Sequence, residues 1–193
     1  MRSVTLALAG LALAAAHSAP TAAYEIDPTT REPIVTYYQQ SYRAQASATR
    51  RDVVAYNGGY APGTILISTT ERRLYYVLGN GQAIRYAVGV GRPGFTWSGT
   101  RSVTMKREWP DWTPPAQMLK RRPDLPRHMA GGIDNPLGAR AMYLGGSLYR
   151  IHGSNEPETI GEAVSSGCIR MTNDDVVDLY QRVRIGTRVV VLH

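Results

Sequence analysis

Cysteine occurs once in the 193 residues, at Cys168, so an intramolecular disulfide framework is excluded. With one cysteine and with His128, His152 and the terminal His193 far apart in sequence, no recognisable metal-ligand spacing exists, and neither a metal nor another cofactor is expected. Long apolar runs are also missing from the N-terminus: the stretch from Val4 to Ala16 is closed by His17, Ser18 and Pro20, short of the ~18 residues of a spanning helix. Lysine is scarce, since every basic residue except Lys106 and Lys120 is arginine, and the basic residues are scattered rather than clustered. No internal repeat is present, and the length suits one globular domain plus an extra segment.

What is present begins with a leader. Arg2, the Ala- and Leu-rich run from Val4 to Ala16, and small residues from Ala19 to Ala23 have the anatomy of a secretory signal peptide. Cleavage is expected near Ala23, with Ala14-Ala15-Ala16 as the competing site, so residues 1–23 are assigned to the signal and the mature chain to the cell envelope, in the periplasm. The formal net charge of +7 suits a polyanionic partner. Export argues against nucleic acid, and favours carboxylate-rich peptidoglycan or anionic headgroups. A lone thiol exported into an oxidising compartment is exposed to oxidation and mispairing, so its presence needs a chemical reason.

Residues 24–60 are polar, carry Pro28, Pro33 and Gly58-Gly59, and show no sustained period; they read as a flexible tether with room for a short helix between Gln39 and Arg50. From residue 61 to 193 the pattern is that of a mostly β domain. Thr64 to Ser68, Arg73 to Leu78 and Ala83 to Val90 are β-branched and aromatic runs punctuated by turn residues, which predicts a meander of hairpins. Val103 to Arg107, Ala141 to Leu144, Leu148 to Ile151 and Thr187 to Leu192 predict further strands. Trp109 to Arg140 is Pro-rich and irregular, and reads as a binding loop or lid. One helix is predicted after Asn173, taken as its cap, with Val176, Leu179, Tyr180 and Val183 as the apolar stripe and Gly186 as the stop.

Two short segments carry chemistry: Ile151-His152-Gly153-Ser154-Asn155 and Ser165-Ser166-Gly167-Cys168-Ile169-Arg170. The segment between them, Thr159 to Val164, is expected to make one or two helical turns. An unassisted thiol is only a few per cent thiolate near neutral pH; a neighbouring imidazole takes the proton and later returns it to a leaving amine. The other ring nitrogen needs an acceptor to fix the tautomer, and a backbone carbonyl is sufficient. Gly167 permits an unusual turn that aims adjacent N–H groups at a developing oxyanion, with Gly167 and Ser166 as the candidate backbone donors.

These motifs resemble the L,D-transpeptidase (YkuD) catalytic domain. The resemblance rests on His152-Gly153-Ser154-Asn155-Glu156-Pro157, on Ile160-Gly161, on Ser165 to Met171, and on Asn173, Asp175 and Val177 to Tyr180, with Asp134 to Ala141 as an earlier matching stretch. It implies a β-sandwich-like fold with one or two short helices and a thiol enzyme of peptidoglycan cross-linking. In that reading Cys168 is the nucleophile, His152 the base, and the main-chain carbonyl of Gly153 the orienting acceptor. Ser165, Arg170 and Tyr143 are the candidate substrate-binding residues, with structural support as the alternative role for Arg170. The donor is a stem tetrapeptide that loses its terminal D-alanine, and carbapenems are expected covalent inhibitors. The acyl group passes to a stem amine, to water, or to an amine of an outer-membrane protein, and the motif does not choose among them. A catalytically silent wall-binding domain is the reading from another class. One departure stands out: many members carry a second histidine where this chain has Ser166.

Overall fold

The computed structural model describes residues 50–193. The expected signal peptide and most of the expected tether lie outside the described residues. The chain enters the fold at β1 (Asp52–Ala55), which pairs antiparallel with β4 (Gln82–Ala87). Arg51, just ahead of it, meets Asp175 at 3.0 Å. The segment from Asp52 is therefore part of the sheet, not tether, and the boundary expected at residue 61 moves toward the N-terminus. The reason is local: Val53 and Val54 suit a strand, and the free edge of β4 offers them a ladder.

The meander follows. β2 (Ile65–Ser68), β3 (Arg73–Gly79) and β4 pair in succession, and Asn80 and Gly81 both hold positive φ in the two-residue turn between β3 and β4, the backbone that a tight right-twisted hairpin requires. After β5 (Val90–Gly91), β6 (Gly99–Glu108) serves two neighbours. Its first half pairs with β11 (Arg188–Leu192), its second half with β7 (Arg140–Leu144), and the register shifts between Val103 and Met105. The nine-stranded sheet runs β1-β4-β3-β2-β11-β6-β7-β8-β10, with β8 at Arg150–His152 and β10 at Ile169–Arg170. β9 (Ala163–Ser165) pairs separately with β5.

Folding the sheet at β6 brings its two halves face to face. Ile65, Ile67, Val189 and Val191 from one half and Met142, Leu144, Ile151 and Ile169 from the other share one buried cluster, which is the core of a β-sandwich. Period-two alternation sends Leu66 and Val190 to the opposite face, where they form a smaller cluster with Val77 and the partly buried Tyr56, Tyr60 and Tyr75.

Two helices complete the described structure. α1 (Ala116–Arg121) lies in the Trp109–Arg140 stretch read from sequence as irregular. α2 (Asn173–Arg182) buries Val176 and Leu179 against the core. Its cap is Thr172, whose side chain accepts from the Asp175 amide at 3.3 Å; Asn173, expected as the cap, has another task. Instead of helical turns, Thr159 to Val164 runs from a single 3-10 turn, Pro157–Thr159, into β9.

Candidate active site

β8 and β10 are parallel neighbours, with Ile151 opposite Ile169 and His152 opposite Arg170. Continuing that register by one residue sets Cys168 beside Arg150. Paired residues of a ladder share a face and alternate residues return to it. Cys168, Arg170, Arg150 and His152 therefore project from one side, with the thiol and imidazole as diagonal neighbours. Both line a cleft of about 740 Å³. His152 is buried, whereas the thiol is partly open to the cleft.

The imidazole is oriented by its own chain. Nδ1 lies 2.6 Å from the Gly153 carbonyl oxygen. A carbonyl only accepts, so Nδ1 carries the proton and Nε2 is left with a free lone pair. Burial pulls the imidazole down to about 3, and the cationic Arg170 and Arg150 push the same way against the Gly153 hydrogen bond. Burial also raises the Cys168 thiol, opposed by Arg150 and Arg170. Near neutral pH the resting pair is thus a neutral thiol and a neutral imidazole. The thiol itself points at the Leu148 carbonyl, 3.8 Å away.

Polar contacts fix the backbone on both sides. Gly167 has φ +107°, and a Cβ there would lie 2.5 Å from Tyr149 Cε1, so the turn before the thiol requires glycine. The Ser165 hydroxyl donates to the Cys168 carbonyl at 2.6 Å and accepts from the Gly167 amide at 3.1 Å. Ser165 is therefore committed to holding the turn, and the Gly167 amide is committed with it. Trp97 donates from Nε1 to the Gly167 carbonyl at 2.8 Å and stacks on Tyr149 with ring centres 4.6 Å apart. On the histidine side, Asn173 Oδ1 accepts from the Ala139 amide at 2.8 Å and occupies the space that a side chain on Gly153 would need. Buried Asn135 ties the preceding loop together, donating to the carbonyls of Pro110 and Ala130 and accepting from the Leu137 amide.

The remaining sequence candidates fall as follows. Ser166 lines the cleft. Arg170 also lines it but is paired with Glu156 at 2.9 Å. The Tyr143 ring lies under the Arg150 guanidinium, 5.1 Å from its carbon. Trp112 is buried, exchanges backbone hydrogen bonds with Met129, and forms part of the cleft wall. Sequence reasoning missed Trp97, Asn135, Asn173 and Arg150. For Arg150 a signal existed, because in a strand ending at His152 it occupies the same face. The side-chain-to-backbone bonds of Trp97 and Asn173 reach across the fold and have no short-range signature, whereas Asn135 accepts from the Leu137 amide two residues on, a local pattern that Asn-Pro can signal.

Six arginines, at 92, 101, 121, 122, 150 and 170, line the cleft against one acidic residue, Glu156. Among the described residues no group of three or more His, Cys, Asp or Glu is placed to hold a metal ion.

One edge of the folded β-sheet thus carries a buried, tautomer-fixed imidazole and a partly open thiol on the same face. The family model for the L,D-transpeptidase catalytic domain, YkuD, matches residues 62–191, and the chain belongs to that family. It is 39% identical over 137 residues to an Escherichia coli K12 protein named "Probable L,D-transpeptidase ErfK/SrfK", covering 66% of this chain and 43% of that one. The chain thus spans less than half the length of that relative. A crystal structure from Brucella melitensis, of a protein described as a probable carnitine operon oxidoreductase, is 45% identical, with 76% of this chain and 96% of that one covered and a TM-score of 0.52. The transpeptidase LdtMt1 in complex with imipenem shares the fold at 16% identity, covering 67% of this chain and 58% of that one, with a TM-score of 0.51.

Proposed function

We propose that the chain is an exported peptidoglycan L,D-transpeptidase that works through a thioester on Cys168. The observation that carries this reading is the 2.6 Å bond from His152 Nδ1 to the Gly153 carbonyl: it reserves Nε2 for the thiol proton on the face where Cys168 stands. Proton transfer from Sγ to Nε2 gives a thiolate that the cleft arginines favour electrostatically. The thiolate adds to the carbonyl carbon of the third residue of a donor tetrapeptide stem. Because the Gly167 amide is held by Ser165, the backbone donor assigned to the oxyanion is the Cys168 N–H. The tetrahedral intermediate expels D-alanine as the imidazolium protonates its nitrogen, leaving a thioester and a neutral imidazole. An amine of a second stem then adds to the thioester carbonyl and gives up a proton to His152. Collapse breaks the C–S bond, and the proton returns to the sulfur.

The leader read from sequence supports export, and among the described residues no helix is long and apolar enough to cross a membrane. A partly open thiol in a cleft, together with the imipenem complex of a protein of this fold, supports acylation by carbapenems. The test is incubation of the mature protein with a tetrapeptide-stem muropeptide, read by mass spectrometry. Cross-linked dimer is expected. Tripeptide alone would reassign the acyl-enzyme to hydrolysis, and unchanged muropeptide would remove the reading.

A further inference from the structure

Arg170 and Arg150 both project toward Cys168, yet their chemistry differs. Arg170 already has a carboxylate, that of Glu156, and a second acceptor at 3.4 Å in the Thr159 hydroxyl. Arg150 forms no ion pair among the described residues. Its Nη1 donates to the Leu148 carbonyl at 3.2 Å, its guanidinium also faces the Cys168 thiol as a donor, and its Nε is buried without a hydrogen-bond partner among the described residues. Arg101, which lines the same cleft, also has a buried Nε without a partner. Its guanidinium lies 5.8 Å over the Trp97 ring, and Trp97 in turn stacks on Tyr149, the neighbour of Arg150.

A buried guanidinium N–H without an acceptor is costly, and a fork of such donors fits a carboxylate bidentately. Aromatic rings beneath both cations, Tyr143 under Arg150 and Trp97 under Arg101, restrict the planes in which the forks lie. Two cleft-lining guanidinium groups without a carboxylate partner among the described residues therefore point to an anionic ligand.

The geometry points to Arg150 and Arg101 as the specificity-determining carboxylate receptors of the cleft, with Arg150 taking the donor carboxylate next to the scissile bond. This rests on the transpeptidase reading for the identity of the donor. Two carboxylates of a stem tetrapeptide have the required chemistry: the terminal one on the leaving D-amino acid and the side-chain one on the diamino acid. Arg170, neutralised by Glu156, supports the wall and does not select.

The experiment measures equilibrium binding of the free tetrapeptide, and of two forms amidated at one or the other carboxylate, to Cys168→Ala protein. That background removes turnover. Amidation at one position is expected to weaken binding roughly tenfold or more. Adding Arg150→Gln or Arg101→Gln is expected to weaken the acid to the level of the amide and to abolish the difference between them. Arg150→Lys keeps the charge but loses the fork, so it is expected to lose most of the preference. Whichever amide shows the loss identifies the carboxylate. Equal affinity for all three peptides, no binding of any, or an unchanged preference in the arginine variants overturns the inference. Turnover by the protein with Cys168 intact is scored separately: turnover without carboxylate dependence sinks the arginine assignment alone, whereas binding with carboxylate preference but no turnover sinks the transpeptidase reading alone.

Discussion

The two flanks of the sheet are held by different forces. At one flank β2, β3 and β4 are consecutive antiparallel strands whose residues are buried on both faces in part, with Ile65, Ile67, Leu74 and Tyr86 fully enclosed. Burial and hairpin chemistry are enough to explain it. At the other flank β8 and β10 span three and two residues, too short to be specified by burial, and they pair in parallel. There the backbone is fixed by Ser165, Trp97 and Asn173, each hydrogen-bonding a main-chain atom next to the thiol or near the imidazole. One flank supplies stability, the other geometry, and substitutions should separate the two.

The largest effect is expected from Cys168→Ala. Removing the proposed nucleophile should lower donor turnover by about a thousandfold or more, while thermal melting stays within a few degrees, because the hydrogen bonds of a thiol are weak. Ile65→Ala should do the reverse. Emptying a fully buried site in the meander is expected to cost about 2–5 kcal/mol in denaturant unfolding, with the turnover of each folded molecule nearly unchanged.

Acid should distinguish the flanks as well. The His152 imidazole is held near 3 when folded and returns to about 6.5 on unfolding. A depressed folded value means that its contribution is complete above about pH 6.5 and is lost as the pH falls toward 3, at up to about 1.4 kcal/mol per pH unit from this group. His152→Gln should flatten the pH dependence of unfolding free energy over that window. If the slopes are identical, the imidazole is not buried neutral.

A smaller effect is expected from Asn173→Ala. The change strands the buried Ala139 amide, at about 1–3 kcal/mol, and frees space beside Gly153. Because the carbonyl of Gly153 orients His152, turnover should fall more than stability predicts, and thiol labelling should slow. A variant that loses stability alone would leave Asn173 as a packing residue without influence on the site.

The same contrast explains what could be read from the amino-acid order. Ile65 and Ile67 alternate with Leu66 and Ser68, and Asn80-Gly81 demands its turn, so the meander was legible from neighbours in sequence. His152 at a strand end and Cys168 after a glycine were legible from chemistry. The pairing of β8 with β10 was not, because parallel strands carry no turn signal. β9 was misread as helical turns because three strand residues, Ala163 to Ser165, match either period. Thr172 and Asn173 are both good caps, and tertiary contact decides between them by drawing the Asn173 side chain to Ala139. β1 was assigned to a tether because its partner edge, β4, lies some thirty residues away.

The most direct measurement is the pH profile of Cys168 labelling by iodoacetamide in the intact protein and in His152→Gln. A neutral pair coupled through Nε2 predicts that the histidine variant reacts at least about tenfold more slowly near pH 7, and that the two converge only at alkaline pH where the thiol ionises unaided. Superimposable profiles from neutral to alkaline pH would contradict it, because the imidazole would then have no part in activating the sulfur.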